Sequence, residues 1–259
     1  MSDHIFSYLL KEYFSEGTEA YLQQVSNNCI VFGYDHPHLK VLAQNIPLDG
    51  TESWVIPGGF IRNEEQLEEA AQRNLKLSGI EDVFLRQVGA FSGLLKMFDR
   101  KSIDKIIDED QNSIVEWISN RFVQVVFYGI VDLRNTVIPS ENLALKTEWL
   151  KISELNKLVP SHAHIVAETK RKLITELLDY PVILSFFPDT FTLNELRGLY
   201  EAILDRPIDR GTFRRKLLSL NILEKIDEKT KERGRPSYLY RFNKEKYLAN
   251  LNERVRFGF

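Results

Sequence analysis

The chain has 259 residues, 43% hydrophobic and 27% charged, with a formal net charge of −3; these proportions are globular and exclude wholesale disorder or a collagen-like repeat. No uncharged apolar run reaches the roughly 18 residues that a membrane span needs, and the first residues lack the layout of a signal peptide. Cys29 is the single cysteine, which excludes an intrachain disulfide and a cysteine-rich metal site. A cytoplasmic protein with no membrane attachment is therefore expected, and the length suits two domains at about 100–200 residues each. The charge is unevenly spread: residues 205–259 hold 15 Lys/Arg against 8 Asp/Glu, a balance of +7, while residues 1–204 stand at −10. A basic end on an acidic body points to a polyanionic partner; an arbitrary surface imbalance is the alternative.

Residues 1–26 read as helical, with Phe6, Leu9, Leu10, Tyr13 and Phe14 at helix-like spacing. Two strands follow, Cys29 to Tyr34 and Leu39 to Ala43, with Asp35-His36-Pro37-His38 as a hairpin turn. Trp54-Val55-Ile56 is a short strand, stopped by Pro57-Gly58-Gly59. Glu64 to Ser78 has the apolar face of a helix in Leu67, Ala70, Ala71 and Leu75, and Gly79 closes it. Val83 to Val88, Phe122 to Val131 and Trp149 to Ile152 read as strands, and residues 162–178 as a helix. Between the first two of these strands lies an insert, Leu94 to Asn120, whose acidic middle at residues 104–110 is expected to be helical. Pro181 and Pro188 bracket a domain boundary, giving domains at 1–182 and 183–259.

The second domain has a helix–turn–helix–hairpin pattern. Thr192 with Glu195 is a capping box for a helix to Ile203. Asp209 starts a second helix reaching Leu220, and Ile222 to Ile226 and Tyr238 to Phe242 alternate as strands around a loop holding Arg233-Gly234-Arg235-Pro236. On the second helix Phe213, Leu217 and Leu220 share a face, expected to bury against Leu196 and Tyr200. Arg210, Arg214, Arg215 and Lys216 lie off that face. Such a helix fits the major groove, where arginine pairs with guanine edges, while Arg233 and Arg235 at the hairpin tip are placed for a minor-groove or backbone contact. A protein-docking winged helix with solvated arginines is the alternative.

The segment from Pro57 to Ile80, PGGFIRNEEQLEEAAQRNLKLSGI, resembles a Nudix box, whose family pattern is G-x5-E-x7-R-E-U-x-E-E-x-G-U. Gly59, Glu65, Arg73, Leu75 and the closing Gly79-Ile80 match. The departures are chemical: Asn74 stands where the family has a glutamate, Leu77 and Ser78 stand where it has the paired glutamates, and the stretch from Leu75 to Gly79 is one residue short. Hard divalent ions want anionic oxygens, and these replacements offer a neutral amide, an alkyl chain and a hydroxyl. The resemblance implies that Glu65 and Arg73 bridge the loop to the helix, so the scaffold is kept while the metal centre is lost, with Leu77 filling the vacated space. Glu64, Glu68 and Glu69 could form a displaced site, although acids at helical spacing are usually a solvated face.

A Nudix-like domain followed by a winged helix resembles the NrtR-like, Nudix-related transcriptional regulators. Phe191 to Ile203 is similar to that family's first helix, Asp209 to Leu217 (including Thr212) to its recognition helix, and Gln87 to Phe91 and Thr147-Glu148-Trp149 to its Nudix-like half. The fold this implies is α+β: a Nudix-like mixed sheet with helices, followed by a winged helix-turn-helix. The implied function is a ligand-responsive DNA-binding regulator, with double-stranded operator DNA and a small effector (ADP-ribose, a nucleotide-sugar or a sugar) as partners, and no cofactor. A homodimer is implied too, because one helix-turn-helix reads a short half-site and a symmetric operator needs two. The candidate ligand pocket takes Arg62 and Arg121 as cations for phosphate, with Gln87 and Phe91 as an amide and a ring for a base or sugar. The alternative is a divergent Nudix hydrolase acting on a nucleoside diphosphate-linked substrate, which alone would require Mg²⁺. His162 and His164 lack partners at ligand spacing and are expected to serve surface or packing roles; Cys29, Trp54 and Trp149 are expected to pack.

Overall fold

The computed structural model describes residues 11, 14–48, 51–81, 83–92, 112–134, 136, 138, 145–179, 190–229, 237–243 and 245–246. They fall into two compact units. The first comprises the described parts of Met1–Phe32, Lys40–Ile130 and Thr136–Thr169, the second those of Gly33–Leu39, Val131–Asn135 and Lys170–Phe259.

The first unit is built on a seven-stranded sheet of β1 (Tyr21–Asp35), β2 (His38–Leu48), β3 (Thr51–Val55), β4 (Gly58–Arg62), β5 (Arg86–Phe91), β6 (Val123–Asp132) and β7 (Lys146–Lys151). The order is β3-β2-β1-β6-β5, with β4 also paired to β1 and β7 to β2. β1 is buried without a break from Ser26 to Tyr34, the pattern of a strand covered on both faces. Helix α1 (Leu67–Lys76) buries Ala70, Ala71, Asn74 and Leu75. Helix α2 (Asn112–Ile118) buries Val115, Trp117 and Ile118. Their neighbours Phe14, Tyr21, Phe60 and Phe122 join Trp117 in an aromatic cluster, with Phe60 and Trp117 ring centres 4.7 Å apart and nearly perpendicular, the edge-to-face geometry that aromatic quadrupoles favour.

Helix α3 (Pro160–Asp179) begins against the connection from β3 to β4. The Val159 N–H donates to Trp54 O at 2.9 Å, and the Ile56 N–H to Nδ1 of the fully buried His162 at 3.1 Å. Trp54 is buried, with Lys146 Nζ 5.3 Å from its ring centre, and Trp149 is half-buried; both pack as expected.

In the second unit, helix α4 (Leu193–Leu204) and helix α5 (Arg210–Ser219) stand with the sheet β8 (Phe191–Thr192), β10 (Ser237–Phe242) and β9 (Leu223–Lys229), in that spatial order. The Thr192–Glu195 capping box forms: the Glu195 N–H donates to Thr192 Oγ1 at 3.2 Å, and the Thr192 N–H to Glu195 Oε2 at 2.7 Å. Leu196, Leu199, Ile203, Phe213, Leu217 and Ile222 are buried, with Tyr200 edge-on to Phe213 at 5.4 Å; Leu220 is only half-buried. The turn between β1 and β2 belongs to this unit, where Tyr34 Oη and His36 Nδ1 are 2.8 Å apart, as does Arg134, paired with Asp132 and with Glu195 at 3.6 Å.

Several expectations need correction. Tyr21–Ser26 is strand and not helix, because Tyr21 pairs with Arg62 and Ser26 with Phe60; inter-strand pairing overrides local helical spacing. Phe6, Leu9, Leu10 and Tyr13 lie outside the described residues, as do the acidic middle of the insert, Pro181 and Pro188. The Gly58-Gly59 stop opens a further strand, β4, in register with Asn28 and Asn27. The strand expected at 83–88 lies at Arg86–Phe91. Among the described residues, no helix is long and apolar enough to cross a membrane.

Burial pushes His162 down to about 4, below the ordinary histidine value of about 6.5. The unfolded chain therefore takes up the proton first, and native stability falls as pH drops from about 6.5 towards 4. His162→Gln keeps an acceptor for the Ile56 N–H but cannot titrate. The expected result is a smaller loss of Tm between pH 7 and pH 5 than in the parent; equal losses in both proteins would refute it.

Candidate functional site

The box loop is laid against β1 by backbone hydrogen bonding. Asn27 pairs with Gly59 and Asn28 with Gly58, while the Cys29 N–H donates to Pro57 O at 2.7 Å. A Cβ at Gly58 would stand 2.5 Å from both Asn27 O and Asn28 Nδ2, so only glycine permits this approach.

Arg73, on the buried edge of α1, is the hub. Its Nε donates to Glu65 Oε2 at 3.0 Å and its Nη2 to Glu65 Oε1 at 2.5 Å, a bidentate pair. Nη2 also donates to Phe60 O at 2.9 Å, and Nη1 to Asn74 Oδ1 at 3.0 Å. Burial alone would raise the Glu65 carboxyl, but hydrogen bonds from Arg73 and the Arg62 N–H outweigh it and hold the group below the usual carboxylate range. The loop-to-helix bridge implied by the resemblance is present.

Asn74 is 1% exposed. Its Nδ2 donates to Asn27 Oδ1 at 3.0 Å, while its Oδ1 takes the Arg73 bond. The amide standing in the glutamate's place is thus a crosslink between α1 and β1. Leu77 does not fill a vacated metal shell: it is 54% exposed, at the turn that ends α1. Ser78 is buried, its N–H donating to Leu75 O at 2.8 Å, and Gly79 completes the turn at φ 79°, a left-handed conformation suited to glycine. Of the neighbouring acids, Glu69 accepts the Gln66 N–H at 2.8 Å, and Glu64 and Glu68 are exposed. A divalent cation does not fit this donor set, since the oxygen of Asn74 is neutral and already accepts from a guanidinium. Among the described residues, no group of three or more His, Cys, Asp or Glu is placed to hold a metal.

The four expected pocket residues lie on β4 (Arg62), on β5 (Gln87 and Phe91) and just ahead of β6 (Arg121). Arg121 Nη2 donates to Ser92 Oγ at 2.9 Å, beside Phe91 at the end of β5. Gln87 lies at the other end of β5, beyond a bulge between Gln87 and Gly89. Arg62 ends β4, which pairs with β1 and is not a neighbour of β5. Phe122, next to Arg121, comes within 5.2 Å of the Phe60 ring of the box. His164 is exposed, and Cys29 is buried, with its Sγ donating to Ala71 O at 3.4 Å and its thiol pushed by burial up to about 12.

In the second unit Asp209 caps α5: its Oδ1 accepts the Thr212 N–H at 2.8 Å, a bond that holds its carboxyl below the usual range. Thr212 is half-buried, Phe213 and Leu217 are buried, and Arg210, Arg214, Arg215 and Lys216 are exposed. Arg233 and Arg235 lie outside the described residues. Sequence reasoning missed Asn27, whose signal was a pair of amides (Asn27-Asn28) at the head of an apolar strand. It also missed Arg197 and Glu201, an oppositely charged pair at helical spacing.

The chain thus carries a sheet with a degenerate Nudix box, followed by a winged helix-turn-helix. Residues 183–242 match the family model of the NrtR DNA-binding winged helix domain. The chain is 24% identical over 230 residues to the ADPR responsive transcriptional repressor NtrR of Acinetobacter baylyi, covering 85% of this chain and 82% of that protein. Shewanella oneidensis NrtR, in its complex with a 27mer DNA, shares the fold with a TM-score of 0.66 at 22% identity, over 87% of this chain and 96% of that one. A MutT/nudix family protein from Enterococcus faecalis gives a TM-score of 0.60 at 16% identity, over 90% and 91% of the two chains.

Asn74→Asp places a carboxylate oxygen against Asn27 Oδ1 in place of a donor. It is expected to destabilise the protein by about 1–3 kcal/mol, the usual cost of spoiling a buried hydrogen bond, as read from urea unfolding. Unchanged stability would show that the Asn27–Asn74 bond ties nothing together.

Proposed function

We propose that the chain is a ligand-responsive transcriptional regulator, in which the winged helix reads duplex DNA and the Nudix-like unit senses a small ligand without cleaving it. The observation that carries the reading is the match of residues 183–242 to a DNA-binding winged helix, with a recognition helix that presents Arg210, Arg214, Arg215 and Lys216 to solvent. The excess of 15 basic over 8 acidic residues in 205–259 supports it, because phosphate neutralisation drives DNA affinity. Repression as the outcome and ADP-ribose as the effector are supported by the Acinetobacter baylyi relative, an ADPR responsive transcriptional repressor; a related nucleotide-sugar or a sugar is the alternative effector. Binding without hydrolysis is supported by the neutral Asn74, held between Arg73 and Asn27.

In this reading Arg62 and Arg121 serve the ligand's phosphates, and Gln87 and Phe91 its base or sugar. The ligand shifts DNA affinity only by its different affinities for the DNA-competent and DNA-incompetent arrangements. The protein works in the cytoplasm as a homodimer, one winged helix per half-site, the domains dividing near residue 182. Arg233 and Arg235 extend the DNA contact at the hairpin tip.

Arg214→Ala and Arg215→Ala are each expected to weaken DNA binding by about 1–3 kcal/mol if they meet base edges, in electrophoretic shift assays with Tm unchanged. Full affinity in both variants would move the contact surface off α5. In a thermal-shift series, ADP-ribose is expected to raise Tm equally with and without Mg²⁺. Phosphate release that depends on Mg²⁺ would instead favour the hydrolase.

A further inference from the structure

Helix α5 has only two fully buried side chains, Phe213 and Leu217. Two residues one turn apart define a narrow stripe, about which a short helix can roll or tilt. Yet the groove-facing side chains of a recognition helix must be held to within a fraction of an ångström to read base edges.

A second restraint sits where the chain turns from α4 to α5. Glu201 Oε1, on α4, accepts from Arg197 Nη1 at 2.6 Å and from the Ile208 N–H at 2.8 Å. Arg197 Nη1 also donates to Ile208 C=O at 3.2 Å, and its Nη2 to Asn194 Oδ1 at 3.1 Å. One ion pair thus grips both backbone groups of Ile208, the residue just ahead of the α5 cap, Asp209. The turn itself reverses through Asp205 in the left-handed conformation, and the Arg206 N–H is returned to Glu201 O at 3.3 Å. Arg197 and Glu201 are three-quarters shielded from solvent, at 25% and 24% exposure, where charge-assisted bonds hold geometry better than at an open surface.

We infer that Arg197 and Glu201 are positioning residues for DNA reading: by clamping Ile208 they set the direction in which α5 leaves the turn, and so where Arg210, Arg214 and Arg215 fall in the groove. This rests on the DNA-binding function proposed above. Neither residue needs to touch DNA. Loss of the clamp therefore affects sequence discrimination and spares the phosphate-driven component, which tolerates a misaligned helix.

The test uses the full chain and two duplexes of equal length: one enriched by the parent protein from a randomised pool, the other a scramble of it. Glu201→Ala is expected to lose about tenfold or more on the enriched duplex and less than about twofold on the scramble, since base contacts carry the specificity. Arg197→Lys retains the charge but not the planar fork, and is expected to lose discrimination by a smaller factor. In both variants the salt slope stays at the parent's value, because no phosphate contact has gone. If Glu201→Ala does not fold, Arg197→Lys and Glu201→Gln carry the comparison on the same two duplexes. Equal losses on both duplexes, an unchanged preference in the folded variants, or a shallower salt slope would overturn the inference. A parent protein that enriches no duplex would overturn the DNA-binding function itself, and this inference with it.

Discussion

The first unit depends on the bidentate pair between Arg73 and Glu65. A half-buried guanidinium needs acceptors for its donors, and here it finds the Glu65 carboxylate, Phe60 O and Asn74 Oδ1. Those bonds join the loop, β4 and α1 into one unit. Charge-assisted, two-pronged pairs of this kind fix geometry as well as adding energy. Once Arg73 occupies one end of the Asn74 amide, the other end is free to hold β1 through Asn27. A carboxylate at that position would have lacked a donor towards Asn27 Oδ1, and a buried acid without enough partners is costly. The change from acid to amide therefore creates a compatible structural joint at the same time as it removes a metal ligand.

The parts of the fold legible in the sequence were those fixed by local chemistry. Capping pairs such as Thr192–Glu195 and Asp209–Thr212 announce helix starts because they satisfy orphan N–H groups within three residues, and both form. The box was legible through the spacing of Gly59, Glu65, Arg73 and Gly79. Features set by distant pairing were not legible. Tyr21–Ser26 looked helical because its partner strand lies some forty residues away, and that strand, β4, was hidden behind two glycines that usually end an element. Leu77 seemed destined for the interior by its position in the pattern, but the shortened stretch to Gly79 ends α1 at Lys76 and leaves the side chain in solvent. The ligand-pocket residues follow from chemical type alone, which does not reveal the strands they stand on: Arg62 ends β4, while Gln87 and Phe91 lie on β5.

The second unit divides its work between apolar packing and polar restraint. Helix α5 contributes two buried side chains to its core, Phe213 and Leu217. That leaves most of the α5 surface for cations, which suits a polyanionic partner but weakens the helix's own anchorage. Hydrogen bonds at its N-terminus, from the Asp209 cap and from the α4 side chains, compensate where hydrophobic burial is thin.

The Cys29 thiol, sealed under α1 against Ala71 O, has a practical corollary. The chain's native sulfhydryl is shut away from disulfide exchange and alkylating probes in the folded state. A cysteine placed on the surface of α5 would then be the sole reactive handle on the chain, ready for a spin label or fluorophore that reports on the surroundings of that helix.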